Sequence, residues 1–239
     1  MNILAVDTSA NVASAALMCD GVLMAETMLN NKKTHSEKLM PMIDDILKNS
    51  GIDISEIDLF AVANGPGSFT GLRIGVSAVK GLAHASNKPI VGISTLEGLA
   101  YNLFYTDGII SPIMDARRSQ VYNAVYKWDC GEFKELTAPR ALSLEECIKG
   151  FEKEKRVYFV GDGVPVYKDE ISKLMGERAI FVPANNLNQR ASSLAVLAQQ
   201  RADRATDANS LMPFYLRKPQ AEREYEEKMK ESLKKENEQ

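Results

Sequence analysis

The sequence predicts an α/β fold made of two similar halves in tandem. Short apolar runs alternate with amphipathic segments, and the order of strands and helices repeats after residue 106. The 239 residues are enough for two small cores, and 45% hydrophobic with 26% charged residues is ordinary for a globular protein. We therefore divide the chain into two domains, 1–106 and 107–206, and a C-terminal segment, 207–239.

The first half is predicted to follow the order β-β-β-α-β-α-β-α. Its second and third strands meet at Asp20-Gly21, a dipeptide typical of a tight hairpin turn. Thr34 and Glu37 have capping-box spacing and predict the first helix start, and Gly51 is placed to end that helix. The other predicted elements are strands Ile3–Val6, Val12–Cys19, Val22–Met28, Leu59–Ala63 and Ile90–Ile93, and helices Thr70–Ala85 and Leu96–Phe104.

The second half repeats this order with little residue identity. Ser143 and Glu146 form another capping box at a helix start. The predicted elements are strands Ile109–Met114, Val121–Trp128, Phe133–Leu136, Val157–Val160 and Ala179–Val182, and helices from Ser143, near Tyr167–Met175 and over Ala191–Gln200. Each half is typical of a ribonuclease-H-like unit. Two in tandem resemble the superfold of actin, sugar kinases and heat-shock ATPases, which does not fix a function.

Bulk properties exclude several classes of protein. A net charge of −3 argues against independent nucleic-acid binding, which needs clustered cations. No apolar run approaches the length of a membrane span, and the N-terminus lacks a basic start and cleavage region, so we expect a cytoplasmic protein. Cys19, Cys130 and Cys147 form no C-x-x-C pair and are expected to be reduced thiols.

Two strand ends carry candidate nucleotide contacts. Asp7, Thr8 and Ser9 follow the first strand, and Asp115 stands at the equivalent turn of the second half. In the superfold, such residues face nucleotide phosphates or their metal, but the same residues also cap ordinary turns. The chain contains neither a G-x-x-x-x-G-K-[ST] loop nor a G-x-G-x-x-G fingerprint, and Gly161-Asp162-Gly163 alone is weak evidence for an adenosine loop.

The stretch Asn64–Gly75, N-G-P-G-S-F-T-G-L-R-I-G, is the most specific in the chain. Gly65-Pro66-Gly67 predicts a tight turn, and Ser68 or Thr70 can cap the following helix. Gly71 and Gly75 each cost that helix about 1 kcal/mol relative to alanine, which indicates that another backbone approaches closely. The helix has one polar stripe, Arg73, Ser77, Lys80 and His84, and is otherwise apolar or small, which predicts burial on more than one side.

These residues resemble the TsaB (YeaZ) family. The resemblance rests on Asn64–Lys88, on His35–Pro41 (H-S-E-K-L-M-P) and on Pro213–Arg217 (P-F-Y-L-R), and it is looser in the second half. It implies a subunit of the complex that forms threonylcarbamoyl-adenosine beside the anticodon in tRNAs that read ANN codons. The catalytic paralogue, TsaD, shares the G-P-G turn and the following helix.

TsaD differs from this chain at its metal ligands. It carries a pattern close to G-V-x-H-x-E-G-H, in which two histidines at i and i+4 grip one metal ion. The chain keeps Glu97 and Gly98 in that frame but has Thr95 and Leu99 at the ligand positions. The resemblance therefore implies a non-catalytic subunit with no catalytic residue, metal or cofactor of its own, and with ATP, ADP and metal bound by its partners.

The same resemblance implies the partners. They are a TsaD-like paralogue, a TsaE-like ATPase, tRNA through the complex, and a second copy of the chain when the paralogue is absent, with no membrane. The expected interface lies on the helices at 35–48 and 70–85. Its residues are Leu39, Met40, Ile43, Gly71, Leu72, Ile74, Gly75 and Val79.

Two rival functions stay open at this point. An ATP-dependent small-molecule kinase of the same superfold would bind ATP alone, and a glycoprotease-like peptidase would hold a metal. The short chain and the missing phosphate motifs argue against the first, and the missing histidine pair argues against the second. The Glu- and Lys-rich tail, Ala221–Gln239, is predicted to be a solvated, frayed helix or a disordered segment.

Overall fold

The fold is described by a computed structural model, which covers residues 1–31 and 35–217. Its first half contains the eight predicted elements. They are β1 (Asn2–Asp7), β2 (Ala13–Cys19), β3 (Val22–Leu29), α1 (His35–Ser50), β4 (Leu59–Gly65), α2 (Phe69–Ser86), β5 (Ile90–Ser94) and α3 (Thr95–Tyr101). The predicted capping box at Thr34 and the charged tail Ala221–Gln239 lie outside the described residues.

The second half repeats the series and adds one short helix. Its elements are β6 (Ile109–Asp115), β7 (Gln120–Asp129), β8 (Glu132–Ser143), α4 (Leu144–Lys149), β9 (Val157–Val160), α5 (Val164–Met175), β10 (Ala179–Phe181), α6 (Ala184–Leu187) and α7 (Ala191–Gln200). Strand β8 is much longer than predicted, because the pairing with β7 continues across two irregularities to Ser143.

Both halves contain a five-stranded mixed sheet with one strand order. The first sheet runs β3-β2-β1-β4-β5, and the second, read from its other edge, runs β8-β7-β6-β9-β10. In each sheet the first three strands pair antiparallel and the last two join in parallel. The prediction of two ribonuclease-H-like units is confirmed.

Local signals in the sequence position several of these elements. Asp20 and Gly21 both have positive φ, +47° and +81°, as a tight hairpin turn requires. Helix α4 begins with the predicted capping box, in which Ser143 and Glu146 satisfy each other's backbone N–H groups. Ser68 caps α2 by accepting a hydrogen bond from the N–H of Gly71.

The first sheet is covered by helices from both halves of the chain. Helices α1 and α2 close one face, with Leu39, Ile43, Val76 and Val79 in one core with Leu4 and Val6 of β1. Helix α7 closes the other face through residues that include Leu194 and Leu197.

The second sheet is likewise closed by one helix of the first half. Leu96 and Leu99 of α3 pack with Ile110, Met114 and Tyr126, while α4 and α5 cover the opposite face. Helices α3 and α7 also contact each other. A Cβ built at Gly98 of α3 would overlap the side chain of Leu194 of α7. Each sheet is thus covered in part by a helix from the other half of the chain, and the domain division at residues 106 and 206 stays a prediction.

Residues 201–217 return along the first sheet. Thr206 forms an antiparallel bridge with Ile90 at the edge strand β5. The Lys80 ammonium of α2 donates hydrogen bonds to the carbonyls of Asn209 and Leu211. Residues 206–211 thus contact the first half of the chain.

No helix within the described ranges is long and apolar enough to cross a membrane. All three cysteines are free thiols, with Cys130 exposed, Cys19 half-buried and Cys147 buried.

Candidate partner-binding site

The turn between β4 and α2 is built against the chain's own backbone. A Cβ at Gly65 would overlap the carbonyl oxygen of Phe214, and one at Gly67 would lie 2.9 Å from the Cβ of Ser9. These two glycines therefore make room for the C-terminal segment and for the β1–β2 turn.

The two glycines of α2, Gly71 and Gly75, also make room for the β1–β2 turn. A Cβ at Gly71 would overlap the Thr8 carbonyl oxygen, and one at Gly75 would overlap the Thr8 hydroxyl oxygen. That hydroxyl also donates a 2.7 Å hydrogen bond to the carbonyl of Gly71. A backbone does approach Gly71 closely, as the sequence predicts, but it belongs to the β1–β2 turn and not to another chain, and the close neighbour of Gly75 is the Thr8 side chain.

Six of the eight predicted interface residues are buried in the chain's own core. Gly71 and Gly75 contact Thr8, and Leu39, Ile43, Leu72 and Val79 are at most 2% exposed. Their assignment to an accessible surface is wrong, because helical periodicity finds an apolar stripe without showing whether a sheet or a partner covers it. Met40 is 44% exposed and Ile74 is half-buried, so these two lie where the prediction expects them.

The outer face of α2 is formed by a different set of residues. Thr70, Arg73, Ser77, Gly81 and His84 are exposed and lie on one side of the helix. We call this set, with the half-buried Ile74, the outer face of α2. Of the predicted polar stripe, three residues belong to it, whereas Lys80 is half-buried and bonded to the C-terminal segment.

Gly81 is the residue of this face that the sequence argument missed. Apart from its two chain neighbours and the backbone of its own helix, no atom of the described residues lies within 4 Å of a Cβ built at Gly81. Its cost of about 1 kcal/mol to the helix therefore has no explanation inside this part of the chain. A helical wheel gives the missing signal, since Gly81 lies roughly 100° around the axis from the buried Gly71 and Gly75.

A C-terminal strap, residues 211–217, borders the outer face of α2. The N–H of Phe214 donates a 2.6 Å hydrogen bond to the carbonyl of Asn64. Arg217 reaches the second half, where its Nη1 donates to the carbonyl of Ala116 at 2.7 Å. The strap thus ties α2 and β4 to the β6–β7 turn.

The candidate nucleotide residues are occupied by hydrogen bonds within the chain. The N–H and the hydroxyl of Ser9 both donate to Asp7 Oδ1, and the Thr8 hydroxyl is turned toward α2. Asp115 accepts from the N–H of Arg117 and from the Tyr167 hydroxyl. These contacts fit turn capping better than the binding of a triphosphate, for which hydroxyl and N–H donors must be free.

A cleft of about 660 Å³ lies between the two halves and is bordered by these turns. His35 lines it and bonds the carbonyl of Ala10 through Nε2 at 2.7 Å. Asp162 also lines it, and burial together with the nearby carboxylates of Asp115 and Asp7 raises the pKa of Asp162 to about 6. Burial likewise raises the pKa of Asp7 to about 6, against the hydrogen bonds from Ser9.

The positions of the paralogue's metal ligands lie inside the protein. Thr95 and Leu99 are fully buried, and a Cβ at Gly161 would lie 3.2 Å from Leu99 Cδ1. Glu97, which this chain shares with the TsaD pattern, forms a bidentate ion pair with Arg201. Residues 1–31 and 35–217 contain no group of three or more His, Cys, Asp or Glu side chains that could hold a metal ion.

Comparison with known proteins identifies the family. The family model described as "TsaD: tRNA N6-adenosine threonylcarbamoyltransferase" matches residues 23–225. The Bacillus subtilis "tRNA threonylcarbamoyladenosine biosynthesis protein TsaB" is 36% identical over 231 residues, which are 96% of this chain and 100% of the relative. The chain belongs to the TsaB family. The Haemophilus influenzae TsaB protein is 32% identical over 77% of this chain and 81% of its own length.

Solved structures agree with this membership. The structure titled "YeaZ from Pseudomonas aeruginosa" superposes with a TM-score of 0.76 and 28% sequence identity, covering 90% of this chain and 99% of that one. The resemblance to the TsaB (YeaZ) family and the predicted fold class are thus both confirmed.

Proposed function

We propose that this chain is the non-catalytic partner subunit of a tRNA threonylcarbamoyltransferase complex. It pairs with a TsaD-like catalytic paralogue and works with a TsaE-like ATPase on the adenosine beside the anticodon in tRNAs that read ANN codons. The TsaB relatives carry the name of this pathway, and the TsaD family model matches most of the chain. Homology between this chain and TsaD makes a pseudo-symmetric pairing of matching helices a natural geometry.

The observation that carries the proposal is the outer face of α2. An exposed glycine in the middle of an 18-residue helix weakens that helix, and no described residue approaches Gly81. Small residues at a helix crossing let two backbones approach closely, and Ser77 lies one turn before Gly81 on the same side. Met40 is an exposed apolar side chain on α1, which packs on the same face of the sheet as α2.

The non-catalytic role is supported by the chemistry of α3. A leucine offers no lone pair to a metal, and Thr95 and Leu99 fill the core between the sheets. The hydroxyls of Thr8 and Ser9 are likewise committed to the chain's own atoms. We therefore assign ATP, ADP and metal binding to the partner subunits, and tRNA contact to the assembled complex.

The test is co-purification with the TsaD paralogue of the same organism. Gly81→Glu adds a large charged side chain where the monomer has open space, so the variant should fold normally and lose the paralogue. Leu174→Glu is the matched control, because it adds the same charge at a 51% exposed position on α5 of the other half. We expect the control to bind the paralogue as the parent chain does.

Gly81→Glu should also abolish self-association of the isolated chain if a second copy uses the same face. Full binding of the paralogue by Gly81→Glu, with a thermal midpoint no lower than that of the unmodified chain, would refute the interface. Failure of the unmodified chain to bind the paralogue would refute the proposed function itself.

A further inference from the structure

Three side chains form a cluster at the start of the outer face of α2. The rings of Phe69 and Tyr215 lie with their centroids 4.8 Å apart at an interplanar angle of 34°. The guanidinium carbon of Arg73 stands 3.9 Å above the centroid of Phe69, and Arg73 Nε donates a 3.3 Å hydrogen bond to the Tyr215 hydroxyl. We call these three residues the arginine clamp.

The clamp holds an exposed arginine in one orientation. Tyr215 is fixed by the strap, because Phe214 bonds to Asn64 on one side and Arg217 bonds to Ala116 on the other. A free surface arginine loses side-chain entropy when it binds a partner, and here much of that loss has already occurred on folding.

The clamp leaves the binding edge of Arg73 open. Its Nε is used by Tyr215, whereas the two Nη amino groups make no hydrogen bond or ion pair with any described residue. A planar guanidinium with two free amino groups fits a carboxylate through paired, charge-assisted hydrogen bonds. Arginine and tyrosine are also the residue types that most often carry the binding energy of protein interfaces.

The local charge favours an anionic group at this point. Helix α2, residues Phe69–Ser86, contains Arg73, Lys80 and His84 and no aspartate or glutamate. Arg73 lies in its second turn, close to the helix N-terminus, whose partial positive charge adds to the field. Arg73 and Gly81 lie eight residues apart on one helix face, so the clamp continues the surface proposed for the paralogue.

We infer that the arginine clamp is a docking point for an aspartate or glutamate side chain of the TsaD-like paralogue. This inference rests on the proposed function. It adds that the partner contributes a carboxylate and that Arg73 binds it. A protein carboxylate is favoured over an RNA phosphate, because the chain has a net charge of −3 and the clamp adjoins the small-residue face of α2.

The experiment measures the affinity of the paralogue for variants of the clamp by calorimetry. Arg73→Ala should weaken binding by roughly 10- to 100-fold, as expected for loss of a central charged contact. Arg73→Lys keeps the charge but loses the fork and the stacked geometry, so its affinity should fall nearly as far. Tyr215→Phe keeps the ring stack and removes only the hydroxyl, and a loss of a few-fold is expected.

A second readout separates docking from a structural role. The affinity of the unmodified chain should fall as salt is raised from about 0.05 to 0.5 M, and this dependence should flatten in Arg73→Ala. All variants should keep a thermal midpoint close to that of the unmodified chain, since Arg73 and Tyr215 are both exposed.

The outcomes distinguish the inference from the proposed function. If Gly81→Glu abolishes binding while Arg73→Ala and Arg73→Lys bind as the unmodified chain does, the clamp inference is overturned and the interface stands. It is also overturned if Arg73→Ala weakens only the binding of tRNA. If the unmodified chain does not bind the paralogue, the proposed function fails first.

Discussion

The same substitution at two glycines of α2 should change stability in opposite directions. Gly71→Ala places a methyl group onto the Thr8 carbonyl oxygen and 3.2 Å from its carbonyl carbon. Gly81→Ala places the methyl group in open space. Gly81 lies in the helix interior, where alanine gains about 1 kcal/mol over glycine, and Gly71, in the first turn of the helix, gains at most as much.

The expected magnitudes follow from these contacts. At residue 71, overpacking costs about 1–3 kcal/mol, and displacement of the β1–β2 turn also loses the Thr8–Gly71 hydrogen bond, worth about 1 kcal/mol. After the propensity gain, Gly71→Ala should lower the free energy of unfolding by about 1–3 kcal/mol. Gly81→Ala should raise it by up to about 1 kcal/mol.

Urea unfolding followed by far-ultraviolet circular dichroism measures both changes. The two variants should show equal slopes with urea and midpoints on opposite sides of the unmodified chain. A Gly71→Ala variant as stable as the unmodified chain would refute the reasoning that this glycine exists to admit the β1–β2 turn. A destabilised Gly81→Ala variant would refute the open environment of Gly81.

Two further predictions concern single carboxylates. Burial and neighbouring acids raise the pKa of Asp162 in the folded protein to about 6, above its pKa in the unfolded chain of about 4. As pH rises from about 4 to 6, the unfolded chain loses this proton more readily than the folded protein, so the free energy of unfolding falls. Asp162→Asn should therefore add about 1–3 kcal/mol at pH 8 and reduce this slope, while the part that the raised pKa of Asp7 causes remains. Urea unfolding at pH 5 and pH 8 that gives an unchanged slope would contradict the assignment. Glu26 of β3 accepts hydrogen bonds from Arg190 and from both the N–H and the hydroxyl of Ser192, and so caps α7 from another strand. Glu26→Ala should cost about 1–2 kcal/mol, whereas Glu170→Ala at an exposed position should change stability little; equal thermal midpoints for the two variants would argue against the cap.

The fold could be predicted because its signals are local. Asp20-Gly21, the Ser143–Glu146 capping box and the Ser68 cap each involve residues within four positions of one another. Strand order then follows from a repeated series of elements that has few compact arrangements.

The candidate site was harder to predict because its geometry depends on distant contacts. The sequence shows that glycines at 71 and 75 need a close neighbour, but that neighbour, Thr8, is more than sixty positions away. Periodicity also cannot tell whether a stripe such as Leu72–Val79 faces a sheet or another protein. The arginine clamp joins residues 69 and 73 to residue 215, and no local pattern in the sequence indicates that long-range contact.

The exchange of α3 and α7 between the halves has a consequence for synthesis on the ribosome. Strands β1 to β5 leave the ribosome early, but the sheet face that α7 covers stays open until residue 200 has emerged. Ile3, Met18, Leu59 and Ile93 line that face. A nascent chain therefore exposes a broad apolar surface through most of its translation, and early arrest before α7 should yield a species that chaperones retain and that aggregates. The core of the first sheet, although its strands are synthesised first, is complete only after α7 has been synthesised.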